Sequence, residues 1–252
     1  MTLISSISGI RGTIGGKPGE GLGPDDIVKF TSSYAEWLKK SNKPNLVIIG
    51  RDARLSGSLI SKIVSATLNA CGINVIDLGL STTPTVEMAI PEYNAGGGII
   101  LTASHNPKEW NALKLLNDKG EFISAEEGEK ILDFANSETY LFADVDELGW
   151  TKEDHLFIYK HIDKIKELTL VVPEQIKQGA FKGVVDGVNS SGGFAIPLLL
   201  SKLGVQNIVE VNCRPDGHFA HNPEPLPEHL EELCNTVKNE KADLGISVDP
   251  DV

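Results

Sequence analysis

Ser104 and His105 stand at the end of an apolar run, where a serine could act as a nucleophile. The run is IIL at residues 99–101, and Asn106 and Pro107 follow the pair. A serine nucleophile needs a general base within hydrogen-bonding reach. Adjacent side chains of an extended segment point to opposite faces, so His105 is a poor base for Ser104. Because the GxSxG elbow is also missing from the sequence, we do not expect a serine hydrolase. A plain strand end with turn-favouring residues fits the same letters.

Asp249 and Asp251 offer a second kind of chemistry, because two carboxylates separated by one residue could share a metal ion. They flank Pro250 and follow the apolar run at 244–248. Carboxylates this close repel each other unless a cation lies between them. Magnesium takes one or two carboxylates and completes its shell with phosphate and water oxygens. An ordinary Asp-Pro-Asp turn is the alternative. A serine at the end of another strand favours the metal, since ligands of α/β sheets gather at the carboxyl ends of strands.

The elements that would position these residues follow from alternating apolar runs and amphipathic segments, which predict an α/β fold. In the first part of the chain we expect strands at 45–50, 74–78 and 99–101, helices at 58–70, 85–90 and 125–135, and a hairpin at 113–123. In the second part we expect helices at 153–168, 193–203 and 227–240, and strands at 183–185, 207–211 and 244–248. The hairpin predicts that the first sheet is mixed. We place a domain boundary near residue 152, which gives domains at 1–152 and 153–252.

The composition limits the classes of partner. The chain has 252 residues, 40% of them hydrophobic and 23% charged, which is typical of soluble globular proteins. No apolar run approaches the roughly 18 residues of a membrane helix, and the N-terminus shows no secretory signal, so we expect a cytoplasmic protein without a membrane partner. A net charge of −12 argues against nucleic acid. Three widely spaced cysteines indicate reduced thiols.

Five segments of the chain resemble motifs of the α-D-phosphohexomutases, the phosphoglucomutase and phosphomannomutase family, in the family's order. They are SGIRG at 8–12, GRDARLSG at 50–57, TASHNP at 102–107, PDGHF with NPEP at 215–219 and 222–225, and DPD at 249–251. The resemblance spans the whole chain. It implies two three-layer α/β domains with mixed sheets, the first two of the four domains expected for the family.

The resemblance also implies a mechanism. Ser104 would carry a phosphoryl group and pass it to a free hydroxyl of a hexose monophosphate. The resulting hexose 1,6-bisphosphate would reorient and return its other phosphate to the serine, so that phosphate moves between the 1- and 6-positions. The phosphoserine oxygen of Ser104 would hold Mg²⁺ together with Asp249 and Asp251. Lys114 is implied as the general acid and base.

Further residues are implied around the reacting oxygens, and each also has a structural alternative. Arg11 lies in a glycine-flanked segment that we expect to be a loop close to an anion, and His105 is expected beside the phosphate. Arg51 and Asn106 are expected to bind substrate or phosphate. Arg51, like Arg54, could instead pin loops through salt bridges.

The family's third metal aspartate and its two further domains do not occur before Val252. We therefore expect a truncated fragment that is nearly inactive alone, and the missing C-terminal domains to belong to the full-length protein. Two other functions remain open. One is a non-catalytic phosphosugar-binding protein on the same scaffold, and the other is a metal-dependent phosphatase that uses the aspartates.

Overall fold

The computed structural model describes residues 2–6 and 9–252, and the chain divides into two compact units. The first unit comprises the residues up to Arg51 together with 56–103 and 109–155, and the second comprises 52–55, 104–108 and 156–252. The segments around Arg54 and Ser104 therefore belong to the second unit. Within the described residues, no helix combines the length and the hydropathy that a membrane crossing requires.

The first unit is built on a seven-stranded sheet. Its strands are β1 (Leu3–Ser6), β2 (Gly9–Thr13), β3 (Leu46–Arg51), β4 (Asn74–Leu80), β5 (Gly97–Leu101), β6 (Trp110–Leu116) and β7 (Thr151–Glu153), and its helices are α1 (Pro24–Lys40), α2 (Gly57–Ala70), α3 (Thr83–Glu92) and α4 (Ala125–Ser137), with a 3₁₀ turn at Val145–Glu147. The strand order is β1-β2-β6-β5-β3-β4-β7. Strand β6 runs antiparallel to both β5 and β2, whereas β3, β4, β5 and β7 are parallel. The sheet is mixed, as predicted.

Side chains of β3 alternate between two layers of helices. Val47 and Ile49 join the core that α1, α2 and α4 cover. On the opposite face, an added Cβ at Gly50 would lie 2.5 Å from a methyl group of Val86 in α3. The close approach of α3 therefore requires glycine at this position, and the first unit has the three predicted layers.

One expectation about the first unit is corrected, and another is confirmed in a shorter form. The predicted loop around Arg11 is a strand, because Gly9–Thr13 pairs with β6. Ile10 on this strand is buried against the core, which holds the backbone in the sheet. Ser8 of the same motif lies outside the described residues. The hairpin predicted at 113–123 is present in a short form: the chain turns after β6 and returns to make one antiparallel bridge, from Leu116 to Phe122, and a backbone hydrogen bond from Ile123 to Leu115.

The second unit has a smaller sheet. Its strands are β8 (Lys182–Asp186), β9 (Asn207–Val211) and β10 (Leu244–Ser247), and its helices are α5 (Phe157–Lys166), α6 (Pro173–Gly179), α7 (Gly192–Leu203) and α8 (Glu231–Asn239), with a 3₁₀ turn at Pro227–His229. The described strands have the order β10-β8-β9 and are all parallel, so the expectation of a mixed sheet applies to the first unit. Gly183 faces Leu200 of α7, and Gly245 faces Val237 of α8. Because Gly245 is opposite Val184 in the register, the two helices cover different faces.

Candidate active site

Ser104 lies in a turn three residues after β5. Its φ is +50°, in the left-handed region that L-residues other than glycine, asparagine and aspartate rarely adopt. The extended backbone assumed at this position is therefore wrong. Such a conformation costs about 1–3 kcal/mol and persists only where the surroundings hold it. Strain of this kind clusters at functional sites, which favours a functional role for Ser104.

The Ser104 hydroxyl contacts the aspartate loop that follows β10. Its Oγ donates a hydrogen bond of 2.6 Å to Oδ2 of Asp249. The other carboxylate oxygen of Asp249 accepts from the backbone N–H of Val252 at 3.0 Å. Asp251 is almost fully buried in the same turn. Two of the predicted site residues, 145 positions apart in sequence, thus meet within one unit.

Arg54 holds the main chain of the Ser104 turn. Its guanidinium donates hydrogen bonds to the carbonyl oxygens of Ser104 (2.5 Å), Asn106 (2.7 Å) and Pro107 (2.6 Å). Its Nε donates to Oδ2 of Asp52 at 2.9 Å, and neither of these two side chains is accessible to solvent. We call this set of bonds the arginine clamp. The planar, five-donor guanidinium can serve all these acceptors, whereas a lysine ammonium cannot.

Residues of the PDGHF motif support the arginine clamp. The guanidinium carbon of Arg54 lies 5.1 Å from the centre of the Phe219 ring, within the range of a cation–π contact. Gly217 has φ +76°, and an added Cβ would stand 2.1 Å from the carbonyl oxygen of Ala53. Glycine is therefore required at position 217 by both the backbone conformation and the space. The motif positions the Ser104 turn through Ala53 and Arg54.

Arg11 and Lys114 share one face of the first sheet. Arg11 in β2 lies opposite Ala112 of β6, and Lys114 comes two residues later on β6. Diagonal neighbours of this kind are about 7–8 Å apart, within reach of long side chains. Arg11 is exposed and Lys114 is half-buried, so both can meet a ligand. The structure brings these two predicted residues together.

The remaining predicted residues lie at the ends of strands or in the Ser104 turn. Arg51 is the last residue of β3 and is paired with Leu101, the last residue of β5. His105 is exposed and Asn106 is half-buried. The backbone carbonyl of Asn106 belongs to the arginine clamp.

The donor set around Ser104 and Asp249 fits magnesium in its chemistry. Across residues 2–6 and 9–252, no group of three or more His, Cys, Asp and Glu side chains is arranged to hold a metal ion. The predicted set has two carboxylates, and its third member is an oxygen on Ser104. All of these ligands are oxygens, which Mg²⁺ prefers. Oδ2 of Asp249 already lies within hydrogen-bonding distance of the Ser104 hydroxyl.

The sequence matches two family models in chain order. Residues 4–141 match domain I of phosphoglucomutase/phosphomannomutase, described as alpha/beta/alpha, and residues 159–252 match domain II of the same description. The chain belongs to the phosphoglucomutase/phosphomannomutase family. The resemblance inferred from the five motifs and the two α/β/α domains are both confirmed.

Relatives agree with this membership. The chain is 36% identical over 244 residues to a phosphoglucomutase/phosphomannomutase of Thermococcus kodakarensis, covering 95% of this chain and 53% of that protein. It is 31% identical over 253 residues to a phosphoglucosamine/phosphogalactosamine mutase of Sulfurisphaera tokodaii, covering all of this chain and 53% of the relative. The chain thus spans about half the length of the curated relatives it matches.

Solved structures share the fold. A phosphoglucomutase/phosphomannomutase family protein from Burkholderia thailandensis superposes with a TM-score of 0.82 at 24% identity, over 99% of this chain and 54% of that one. The parafusin phosphoglucomutase of Paramecium superposes with a TM-score of 0.75 at 19% identity, over 98% and 51% of the two chains.

Sequence reasoning did not settle the role of Arg54. The motif GRDARLSG marked it as basic, and both a ligand contact and a loop-pinning salt bridge fitted the letters. The structure shows the salt bridge and three bonds to the Ser104 turn. Asp52, two residues before Arg54 and able to accept its Nε–H, was the available sequence signal.

Proposed function

We propose that the complete protein is a magnesium-dependent phosphohexomutase, which moves a phosphoryl group between the 1- and 6-positions of a hexose phosphate. The observation that carries the proposal is the hydrogen bond between Ser104 and Asp249 in a member of this family. Relatives named for glucose, mannose and amino-sugar phosphates support a hexose phosphate substrate. The expected compartment is the cytoplasm.

In the proposed reaction Ser104 is the phosphoryl carrier. The bond between its oxygen and phosphorus breaks as a bond forms from a sugar hydroxyl to the same phosphorus. The proton of that hydroxyl passes to the uncharged amine of Lys114, and the departing Ser104 oxygen takes up a proton from solvent to become a hydroxyl again. The bound hexose 1,6-bisphosphate then reorients in the site. Its other phosphate transfers to Ser104, whose hydroxyl proton is released to solvent, and the protonated Lys114 returns its proton to the departing sugar oxygen. Holding the serine oxygen in a fixed turn favours in-line transfer by orientation.

The other residues of the proposed site manage charge. Arg11, His105 and the Asn106 side chain would surround the phosphoryl oxygens, and Arg51 would bind substrate phosphate. Arginine suits this role because its planar fork matches phosphate oxygens. Asp249, Asp251 and the phosphate on Ser104 would hold Mg²⁺, which neutralises developing charge on the phosphoryl group.

We also propose that the two family domains divide near residue 152, and that further domains complete the sugar and distal-phosphate sites. The 252-residue chain alone should then be nearly inactive. Mutase activity of this chain comparable to that of a full-length homologue would contradict the idea.

A mutase assay on the complete gene product tests the function. The enzyme is primed with hexose 1,6-bisphosphate and offered glucose 1-phosphate, mannose 1-phosphate and glucosamine 6-phosphate in turn. We expect the enzyme to convert at least one of these substrates and Ser104→Ala to be inactive. Ser58→Ala is the matched control and should keep full activity, because Ser58 is exposed on α2. Mass spectrometry should detect phosphate on Ser104 that exchanges with the sugar phosphate.

Two outcomes would overturn the proposal in favour of its alternatives. If the protein binds sugar phosphate but Ser104 is never phosphorylated, it is a binding protein. Release of inorganic phosphate that survives Ser104→Ala identifies a phosphatase.

A further inference from the structure

The turn between β8 and α7 is strained in the middle of the second unit. Val188 and Asn189 are consecutive left-handed residues, with φ of +46° and +54°. Asparagine tolerates this region, but a β-branched residue there is a genuine outlier. Val188 is fully buried, so the backbone cannot relax toward solvent. Strain of this kind persists only where neighbouring groups enforce it, and it marks places where position matters.

Hydrogen bonds from both sides enforce the turn. Oδ1 of Asp186 accepts from the N–H of Val188 at 3.0 Å. The backbone N–H of Asn189 donates to the carbonyl oxygen of Asn212 at 2.5 Å. The side-chain amide of Asn189 donates to the backbone carbonyl oxygen of His218 at 2.9 Å. The residue that follows, Ser190, is therefore presented from a rigid support.

Ser190 joins the aspartate loop to the arginine clamp. Its hydroxyl donates to the carbonyl oxygen of Pro250 at 2.7 Å and accepts from the N–H of Ala53 at 3.2 Å. The residue is fully buried. Pro250 is the chain neighbour of Asp249, and Ala53 is the chain neighbour of Arg54. The Ser190 hydroxyl therefore links the residue next to Asp249 with the residue next to Arg54.

These contacts close a ring around the site. Arg54 grips the Ser104 turn, the Ser104 hydroxyl meets Asp249, and Ser190 connects the segments that carry Arg54 and Asp249. A ring of this kind fixes the distance across any one of its contacts. If Ser190 releases either partner, Asp249 and Ser104 can separate without breaking another side-chain bond in the ring.

We propose that Ser190 is a positioning residue that sets the distance between the Ser104 hydroxyl and the Asp249 carboxylate. The catalytic consequence rests on the proposed phosphohexomutase function, since it needs phosphoryl transfer at Ser104. The geometric statement does not. A misplacement of about 1 Å at a reacting centre costs on the order of 100-fold in rate.

Ser190→Ala and Ser191→Ala form a matched pair for the test. Both serines are fully buried and adjacent, and the same oxygen is removed from each. In the part of the chain that the structure describes, the Ser191 hydroxyl has no hydrogen-bond partner. A general weakening of the turn would affect both variants, whereas loss of the connection affects only Ser190→Ala.

Three measurements on the complete gene product decide the proposal. In Ser190→Ala we expect kcat to fall about 10- to 100-fold and the Mg²⁺ concentration for half-maximal activity to rise, with KM for hexose phosphate unchanged. Mn²⁺ titration should show weaker metal binding. A crystal structure should show the Ser104 Oγ and Asp249 Oδ2 atoms beyond hydrogen-bonding distance. Ser191→Ala should match the wild type in all three.

Retention of the Ser104–Asp249 contact in the Ser190→Ala crystal overturns the proposal, and so does an equal loss in Ser191→Ala. If Ser190→Ala does not fold, Ser190→Cys, which keeps a weak donor and acceptor, is measured in its place. Failure of the proposed function is distinguishable, because it appears as an inactive wild type, while the distance and the Mn²⁺ affinity still test Ser190.

Discussion

Replacing Arg54 by lysine should destabilise the second unit selectively. The substitution keeps the positive charge beside the buried carboxylate of Asp52 and so avoids leaving that charge unpaired, which by itself costs about 3–5 kcal/mol. It removes the fork that reaches the carbonyl oxygens of Ser104, Asn106 and Pro107. The predicted effect therefore measures the hydrogen bonds to the Ser104 turn separately from the ion pair with Asp52.

The size of the effect follows from the bonds lost. A hydrogen bond to a charged group contributes about 1.5–3 kcal/mol net. A lysine ammonium that stays with Asp52 can reach at most one of the three carbonyl oxygens, so at least two bonds are lost. Relaxation of the Ser104 backbone from its left-handed conformation returns about 1–3 kcal/mol. At the middle of these ranges, we expect the free energy of unfolding of the second unit to fall by about 2.5 kcal/mol.

Native-state hydrogen exchange with mass spectrometry is the assay, because it gives the opening free energy of each segment separately. Peptides that contain residues 104–108 and 244–252 should lose protection in Arg54→Lys. Arg214→Lys is the control, since the Arg214 side chain is 88% exposed and its nitrogen lies 3.9 Å from the Asp216 carboxylate. Exposed pairs of this kind contribute less than about 1 kcal/mol. Equal protection in the two variants would refute the reasoning.

Two further predictions concern titration and thiol reactivity. Burial lowers the pKa of His161 below its usual value, so the unfolded chain binds a proton more readily than the folded one. Stability is therefore lost as the pH falls through the usual histidine range toward the folded pKa. In urea denaturation between pH 8 and 5, the free energy of unfolding should fall less steeply toward acid pH in His161→Gln than in the wild type. Burial raises the pKa of Cys213 to about 11 and also raises the pKa of Cys71, whereas Cys234 is exposed. Iodoacetamide at pH 8 should therefore label Cys234 first. Rapid labelling of Cys213 in the folded protein would contradict this expectation.

The sequence predicted most elements whose residues are buried in a regular pattern. Strands β3, β4, β5 and β8 lie where their apolar runs indicated, because helices cover their buried side chains. Strands β9 and β10 also lie where their apolar runs indicated, although their residues are only half-buried or exposed. Strand β7 was not predicted, since all three of its residues are exposed and only pairing with β4 makes it a strand. The predicted helix at 153–168 is shorter, Phe157–Lys166, because the chain before it first pairs with the sheet.

The candidate site was predictable in its residue types but not in its connections. Motif letters indicated Ser104, Asp249 and the basic residues. A left-handed φ at Ser104 leaves no mark in the sequence, because the conformation is imposed by neighbours distant along the chain. The burial of Arg54 and the bridging hydroxyl of Ser190 likewise depend on three segments that the fold brings together.

The contact between Ser104 and Asp249 also has a consequence for synthesis in the cell. At typical rates of translation, the ribosome adds Asp249 roughly 7–30 s after Ser104, since 145 positions separate them. A nascent chain in which the first sheet is complete therefore contains Arg54 but still lacks Asp249, the partner of the Ser104 hydroxyl. Closing so long a loop carries a large entropic cost before any contact offsets it. The site is accordingly among the last parts of this chain to form.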